Sequence, residues 1–138
     1  MEGLGLFADG ELYAVDVTLV EKVVRNIKYT PVFAAPRAVA GITSMKGGMV
    51  TLLSLSELLG RDRSARAVHA VIFKPLTDGN DQMGLLIDKP ESIVSIDDNG
   101  ILNADVLGET SVVTSFAEVG DKLYRIIDID LINKQFKD

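Results

Sequence analysis

The residues whose chemistry could support catalysis are few and lie far apart in the sequence. His69 is the only histidine among the 138 residues, and there is no cysteine. His69 shares alternate positions with Ala67, Val71 and Phe73, which is the periodicity of a β-strand. A catalytic triad or a zinc site needs further partners, and none lies nearby in the sequence. We therefore interpret His69 as a structural or partly exposed strand residue and not as a catalytic base.

Three short motifs resemble ligand sites but lack an essential part of each. The acidic stretch 97–100 is not followed by the bidentate glutamate that completes a calcium loop. Gly3 and Gly5 have no third glycine in phase and precede a strand, so they do not form a dinucleotide fingerprint. Lys46 precedes Gly47-Gly48, but the spaced glycines of a phosphate-binding loop are missing. We predict no catalytic residue, no metal and no cofactor, and hence a protein that is not an enzyme.

The composition narrows the class of partner. A formal net charge of −6 argues against a general nucleic-acid binder, because neutralising phosphates requires clustered Lys and Arg. Arg61, Arg63 and Arg66 form the one tight basic group, which we interpret as a solvated linker. No apolar stretch reaches the roughly 18–20 residues of a membrane span, and the N-terminus shows no secretory signal. We expect a cytoplasmic protein without direct membrane contact, since the lack of cysteine is compatible with a reducing compartment.

Turn signals fall at regular intervals between runs rich in β-branched residues. Asp-Gly tolerates positive φ and is a strong hairpin signal, and Asp9-Gly10 separates two such runs. Three further turn signals divide later runs in the same way: Gly47-Gly48, Asp78-Gly79-Asn80-Asp81 and Gly120-Asp121. Four hairpins in a chain of this length predict an all-β barrel or sandwich.

Helical signals are few and short. Pro36 predicts the first turn of a brief helix that runs to about Val39. Three leucines with helical spacing precede Gly60, which is predicted to end that helix. Asp130 is predicted to cap a final helix. The polar segment 97–109 is predicted to be a long surface loop.

A polar stretch divides the chain into halves of similar strand content. We predict one subdomain over 1–60, a linker over 61–66 and a second subdomain over 67–138. Halves of this size are marginal alone, so we expect the two to share a hydrophobic seam.

An ordered series of segments spans nearly the whole chain. In the first half they are Tyr13-Ala14-Val15-Asp16-Val17, Val20-Glu21-Lys22-Val23-Val24, Pro36–Gly41 and Ile42–Gly47, and in the second half 84–94 and 123–132. In order and spacing, this series resembles the CheW-like domain of bacterial chemotaxis proteins. The resemblance implies two five-stranded SH3-like β-barrels with short helices, and it allows a strand or helix to be exchanged between them.

The resemblance also implies a function by protein–protein binding. CheW-type adaptors tie the regulatory domain of the CheA histidine kinase to the cytoplasmic tip of chemoreceptors. The strand with Val20, Lys22 and Val24 lies where such adaptors meet the kinase. The two valines are equally compatible with filling the core of the first barrel.

A second set of positions corresponds to receptor binding in the family. The residues are Gly41, Ile42, Lys46, Gly47, Ile87 and Val94. For the two glycines, a need for special backbone geometry is an equally good interpretation. For Ile42, Ile87 and Val94, burial in the core is favoured over a position in a groove that binds a receptor helix.

Four departures from the family pattern leave alternatives open. Lys46 stands in place of an arginine and cannot form a bidentate pair. Ser44 replaces an asparagine, and Ser54 replaces an aspartate. Lys22 stands where an acidic residue is common. The chain is therefore predicted to be a chemotaxis adaptor or, alternatively, a divergent paralogue or excised domain that serves another motility pathway. A small-ligand-binding barrel is the competing class of function.

Overall fold

The computed structural model describes residues 1–45, 48–75, 82–103 and 112–135. In these residues short strands dominate and two short α-helices follow strand ends. The strands are β1 (Glu2–Ala8), β2 (Glu11–Asp16), β3 (Val20–Val24), β4 (Val39–Met45), β5 (Gly48–Ser54), β6 (His69–Phe73), β7 (Gln82–Ile87), β8 (Lys89–Ser95), β9 (Ile101–Asn103), β10 (Val113–Val119) and β11 (Lys122–Ile127). The helices are α1 (Leu55–Leu58) and α2 (Ile129–Gln135), and 3-10 turns cover Val17–Leu19 and Asp98–Gly100.

The strands form two separate hydrogen-bonded sheets. The first sheet has six strands in the order β8-β1-β2-β11-β10-β9. The second has five strands in the order β3-β6-β7-β5-β4. The prediction of an all-β fold with few short helices is confirmed, although one sheet has six strands where five were expected.

Both sheets are built by the same pairing scheme. In the first sheet the hairpins β1–β2 and β10–β11 are joined by the parallel pair β2–β11, with Tyr13 opposite Arg125. In the second sheet the antiparallel pairs β4–β5 and β6–β7 are joined by the parallel pair β5–β7, with Leu52 opposite Gly84. The two sheets therefore resemble each other in strand pairing, although each sheet contains strands from both predicted halves of the sequence.

The chain divides into two compact units that are interleaved in sequence. Unit 1 comprises residues 1–18 and 91–138, and unit 2 comprises residues 19–90. The predicted boundary does not coincide with this division, because residues 61–66 lie inside unit 2. The physical reason is the pairing of β2 with β11, which places the N-terminal hairpin in the same sheet as the C-terminal one.

The predicted turns connect the strands that the sequence pattern indicated. Asp9 and Gly10 have φ values of 52° and 80°, and the strands on either side pair in register from Ala8 opposite Glu11. Gly120 has a φ of 64° between β10 and β11. Residues 46–47 and 76–81, where the other two turns were predicted, lie outside the described part of the chain.

The three helix predictions have different outcomes. The helix before Gly60 is confirmed as α1, whose first turn is capped by the Ser54 side chain. Helix α2 exists, but its cap is Asp128, whose Oδ1 accepts a hydrogen bond from the Leu131 amide, and Asp130 lies inside the helix. The predicted helix from Pro36 is wrong. The Val39 amide donates a hydrogen bond to the Pro36 carbonyl in a single turn, and the chain then continues as β4.

The predicted loop 97–109 is also partly regular. Asp97 accepts a hydrogen bond from the Asn99 amide and caps a 3-10 turn, after which β9 pairs with β10. Residues 104–109 are not among those described. None of the helices in the described ranges is both long and apolar enough to cross a membrane.

Each unit has an apolar core formed by alternate strand residues. Unit 2 contains a buried cluster of Ala40, Val50, Leu52, Ala67, Ala70, Ile72 and Leu86. Unit 1 contains a buried cluster of Ala14, Ile96, Ala117, Tyr124 and Ile126. Burial of these β-branched and aliphatic side chains supplies the main driving force for folding.

A cluster of charged side chains fastens the chain before β4 to helix α1. Glu57 has a side chain that is only 7% exposed, and its two oxygens accept hydrogen bonds from Arg37 Nε at 2.9 Å and Arg63 Nε at 2.7 Å. Arg37 also pairs with Asp62, whose side chain is 97% exposed. Because Glu57 is desolvated and doubly paired, it contributes more than a surface ion pair does.

We expect Glu57→Gln to lower the free energy of unfolding by about 1.5–3 kcal/mol, since it weakens two charge-assisted hydrogen bonds at a buried site. Urea denaturation followed by circular dichroism measures the change. Asp62→Asn is the matched control, because it removes the charge of the exposed carboxylate bound to the same Arg37. An equal loss in both variants would contradict the assignment of Glu57 as the centre of the cluster.

Candidate protein-binding surfaces

The strand predicted to meet a kinase lies at an edge of the second sheet. Among the described strands, β3 is hydrogen-bonded to β6 alone, so it forms an edge of this sheet. Lys22 is exposed, Val20 is half-buried, and Val24 is half-buried against the core of unit 2. Val24 thus has a packing role, Lys22 is accessible at the surface, and Val20 is half-buried like Val24.

A β-bulge shapes this edge. Val20 lies opposite Phe73 and Lys22 opposite Ile72, so the register shifts between these pairs and Glu21 is the additional residue. Glu21 is held by a hydrogen bond of 3.0 Å from the Gln82 side chain, which also donates to the Phe73 carbonyl at 2.9 Å. A bulge bends and twists an edge strand, which limits uncontrolled pairing with other strands.

His69 holds the chain where β3 ends. Its Nδ1 accepts a hydrogen bond of 3.0 Å from the amide of Asn26, a residue with φ of 50°. The next residue, Ile27, donates its amide to the Val68 carbonyl at 2.9 Å. An imidazole that accepts through Nδ1 carries its proton on Nε2. The interpretation of His69 as a structural strand residue is confirmed by its half-buried position and this contact.

The opposite edge of the same sheet contains Gly41 and Ile42. Thr30 and Ile42 exchange two backbone hydrogen bonds of 2.8 Å each, which brings the chain before β4 directly over Gly41. A Cβ atom at Gly41 would lie 2.3 Å from the Thr30 carbonyl oxygen, far inside van der Waals contact. Gly41 is buried and required by this close approach, and Ile42 is half-buried.

The remaining predicted receptor-binding residues do not form one described surface. Ile87 is fully buried in unit 2, so its side chain is not accessible to a partner. Val94 belongs to unit 1 and packs against the core of that unit. Lys46 and Gly47 lie outside the described residues, between β4 and β5.

The sequence did not reveal the most exposed large apolar side chain among the described residues. Phe33 is 98% exposed, in a loop between Pro31 and Pro36. In unit 1, Leu102 is 62% exposed and lines a surface groove of about 250 Å³ together with Phe116 and Leu123. The flanking prolines were the available signal for the loop, but Pro36 is instead predicted above to begin a helix.

The electrostatics of the described residues show one perturbed group. Hydrogen bonds from Arg37 to Glu57 and Asp62 raise the pKa of the Arg37 guanidinium above its ordinary value, so it stays charged throughout the physiological range. Within the described ranges, no three His, Cys, Asp or Glu side chains are grouped as metal ligands. The arrangement offers exposed strand edges and apolar surfaces, which are means of binding proteins.

Comparison with known proteins identifies the class of fold and then the family. The crystal structure of the scaffolding protein TtCheW from Thermoanaerobacter tengcongensis matches with a TM-score of 0.81 and 23% sequence identity, covering 93% of this chain and 88% of that one. Among curated protein sequences none matches this chain. The family model described as CheW-like domain matches residues 2–136. The chain therefore belongs to the CheW-like domain family.

Family membership and the two-sheet fold agree with the resemblance seen in the sequence. The all-β architecture agrees with the structural match to the scaffolding protein TtCheW.

We expect Gly41→Ala to lower the free energy of unfolding by about 1–3 kcal/mol, because its Cβ forces Thr30 and β4 apart. Urea denaturation measures the effect. Gly100→Ala is the matched control, since the nearest atom to a Cβ there is 3.9 Å away. If the two variants unfold at the same urea concentration, the close approach at Gly41 is not a structural requirement.

Proposed function

We propose that this chain is a cytoplasmic adaptor that couples chemoreceptors to a CheA-type histidine kinase by binding both. The observation that carries the proposal is the CheW-like family match over residues 2–136. The adaptor has no reaction to perform, and its function consists of presenting surfaces that hold two partners together.

For the kinase side we propose that Val20, Lys22 and Val24 on β3 bind the regulatory domain of the kinase. Three features support this assignment: β3 is a sheet edge, Lys22 is exposed, and Val20 is only half-buried. Lys22 supplies positive charge that selects an acidic partner surface, and Val20 supplies apolar area next to it. Val24 supports the binding strand by packing against the core, which keeps the strand in place.

For the receptor side we propose the β4 edge and the turn that follows it, with Ile42, Lys46 and Gly47 as contacts. Gly41 supports this segment through its close approach to Thr30. Val94, half-buried in unit 1, is retained as a proposed contact, whereas the burial of Ile87 makes it a supporting residue. The receptor partner is proposed to be the cytoplasmic tip of a chemoreceptor, which presents helices.

The groove lined by Leu102 does not favour the competing small-ligand function. Its volume of about 250 Å³ lies below the roughly 300–1,000 Å³ typical of ligand pockets. It is also open to solvent and lined by apolar side chains with Glu118 at its margin. Such a shallow site suits a side chain of another protein better than an enclosed metabolite.

We expect Val20→Asp and Lys22→Glu each to raise the Kd for the CheA regulatory domain of the same organism at least about tenfold. Val20→Asp places an unpaired carboxylate in the contact, and Lys22→Glu reverses the charge that faces the partner. Isothermal titration calorimetry with purified proteins measures both effects.

Arg66→Glu is the control, because it makes the same charge reversal at an exposed residue of the same unit. Circular dichroism establishes that each variant is folded. Lack of binding by the wild-type chain to that kinase domain would refute the kinase proposal. Binding to the equivalent domain of another motility pathway instead would identify the chain as a divergent paralogue.

A further inference from the structure

The chain that follows β3 covers part of the core of unit 2. Ile27 and Tyr29 are half-buried and pack against the buried cluster of that unit, as Val24 does at the end of β3. We name residues 25–29 the covering segment. Its position over the core depends on the contacts that hold its backbone.

Two consecutive amides of the covering segment are bound to the start of β6. The Asn26 amide donates to His69 Nδ1 at 3.0 Å, and the Ile27 amide donates to the Val68 carbonyl at 2.9 Å. A carbonyl oxygen accepts a hydrogen bond at any pH, whereas an imidazole nitrogen accepts only while it carries no proton. One of the two bonds therefore depends on the charge of a side chain.

The backbone at Asn26 makes this bond more important than an ordinary loop contact. Asn26 has a φ of 50°, in the left-handed region. Residues other than glycine adopt this region at a cost, although asparagine does so more readily than most. Such a conformation persists where surrounding contacts stabilise it, and the bond to His69 is one of those contacts.

A proton on Nδ1 converts this acceptor into a donor. In the imidazolium form both ring nitrogens carry hydrogen, so the Nδ1–H group of His69 opposes the Asn26 N–H group. The hydrogen bond is lost, and two donors face each other in its place. The change requires only a proton from the solvent, and it alters no other bond of the chain.

The charged groups on the elements around His69 are few. The strand β7 contains no charged residue, and His69 is the only ionisable residue in β6. In β3, Lys22 lies opposite Ile72, toward the other end of β6. The remaining charged side chains on the adjoining segments are Arg25, Arg66, Asp88 and Lys89. Asp88 is the only acid among these four, and it follows Ile87, the residue paired with His69.

We propose that His69 is a proton-sensitive switch for the covering segment. The neutral imidazole holds Asn26 in place, and protonation of Nδ1 releases residues 25–27 from the start of β6. Release is a shift between a closed and a locally open population, and global unfolding is not required. The switch does not rest on the proposed function, although it acts at the end of the strand that is proposed to bind the kinase.

Amide hydrogen exchange of the isotope-labelled chain tests the switch. Rates are measured by NMR at about pH 7.5 and about pH 5.5, within the interval in which histidine side chains ordinarily change charge. Each rate is divided by the intrinsic rate of the same residue at the same pH. We expect the protection of the Asn26 and Ile27 amides to fall about fivefold at the lower pH, the effect of losing one hydrogen bond. The Leu52 amide in β5 is the internal reference and should keep its protection.

His69→Asn and His69→Ala separate the acceptor from the proton. Asparagine places an amide oxygen on the branch that Nδ1 occupies, and this oxygen accepts a hydrogen bond without titrating. We expect the covering segment to be well protected at both pH values in His69→Asn, and poorly protected at both in His69→Ala. All carboxylates of the wild type are retained in both variants.

Equal protection of the wild-type Asn26 amide at the two pH values would overturn the proposal. An equal fall in His69→Asn would also overturn it, because groups common to both proteins would then be responsible. Wild-type protection in His69→Ala at the higher pH would show that the hydrogen bond does not hold the segment.

A titration of the wild-type chain alone decides the question even if a variant fails to fold. His69 is the only histidine, so its ring signals are assigned without ambiguity. NMR follows the His69 ring nitrogens and the Asn26 amide in the same samples. We expect both to change with one common midpoint. Different midpoints, or an Asn26 signal that does not move, would contradict the switch.

Discussion

The organisation of this molecule depends on two parallel strand pairs. Antiparallel hairpins form locally, because two or three turn residues bring their strands together. Parallel pairs join segments that are distant in sequence, and they must overcome the entropy of closing long loops. The β2–β11 pair spans almost the whole chain, and the β5–β7 pair links the two hairpins of the second sheet. Without these two junctions each sheet would divide into pieces of two or three strands, which bury much less apolar surface.

The same junctions determine which surfaces are available for binding. Joining hairpins in this order leaves β3 and β4 at the edges of one sheet, and β8 and β9 at the edges of the other. An edge strand presents unsatisfied backbone groups that attract other strands. Here one edge is shaped by the bulge at Glu21, and another is crossed by the chain at Thr30. Edges that are bent by a bulge or crossed by another segment can present selected side chains to a partner and still resist unspecific pairing with other strands.

Charge is distributed in a way that serves a binding protein. Interleaving places residues 1–18 with 91–138, and both segments are rich in acidic residues. The middle of the chain contains most of the Lys and Arg. Opposite net charges allow the two units to attract different partner surfaces. The exposed Phe33 provides apolar surface that long-range electrostatics alone cannot supply.

Local patterns in the sequence predicted the strands of the four antiparallel pairs β1–β2, β4–β5, β6–β7 and β10–β11, and also helix α1. They could do so because strand periodicity, turn residues and capping act over a few residues. Only the tertiary structure decided the interleaved units, since the β2–β11 pair has no local signal. It also decided that Asp128 caps α2 and that Pro36 opens a turn before β4. The same applies to Gly41, whose need for a missing Cβ arises from Thr30, a residue brought over it by pairing. Exposure likewise depends on what packs above a side chain: the sequence favoured burial of Ile87, which the structure confirms, but it did not reveal that Phe33 is exposed.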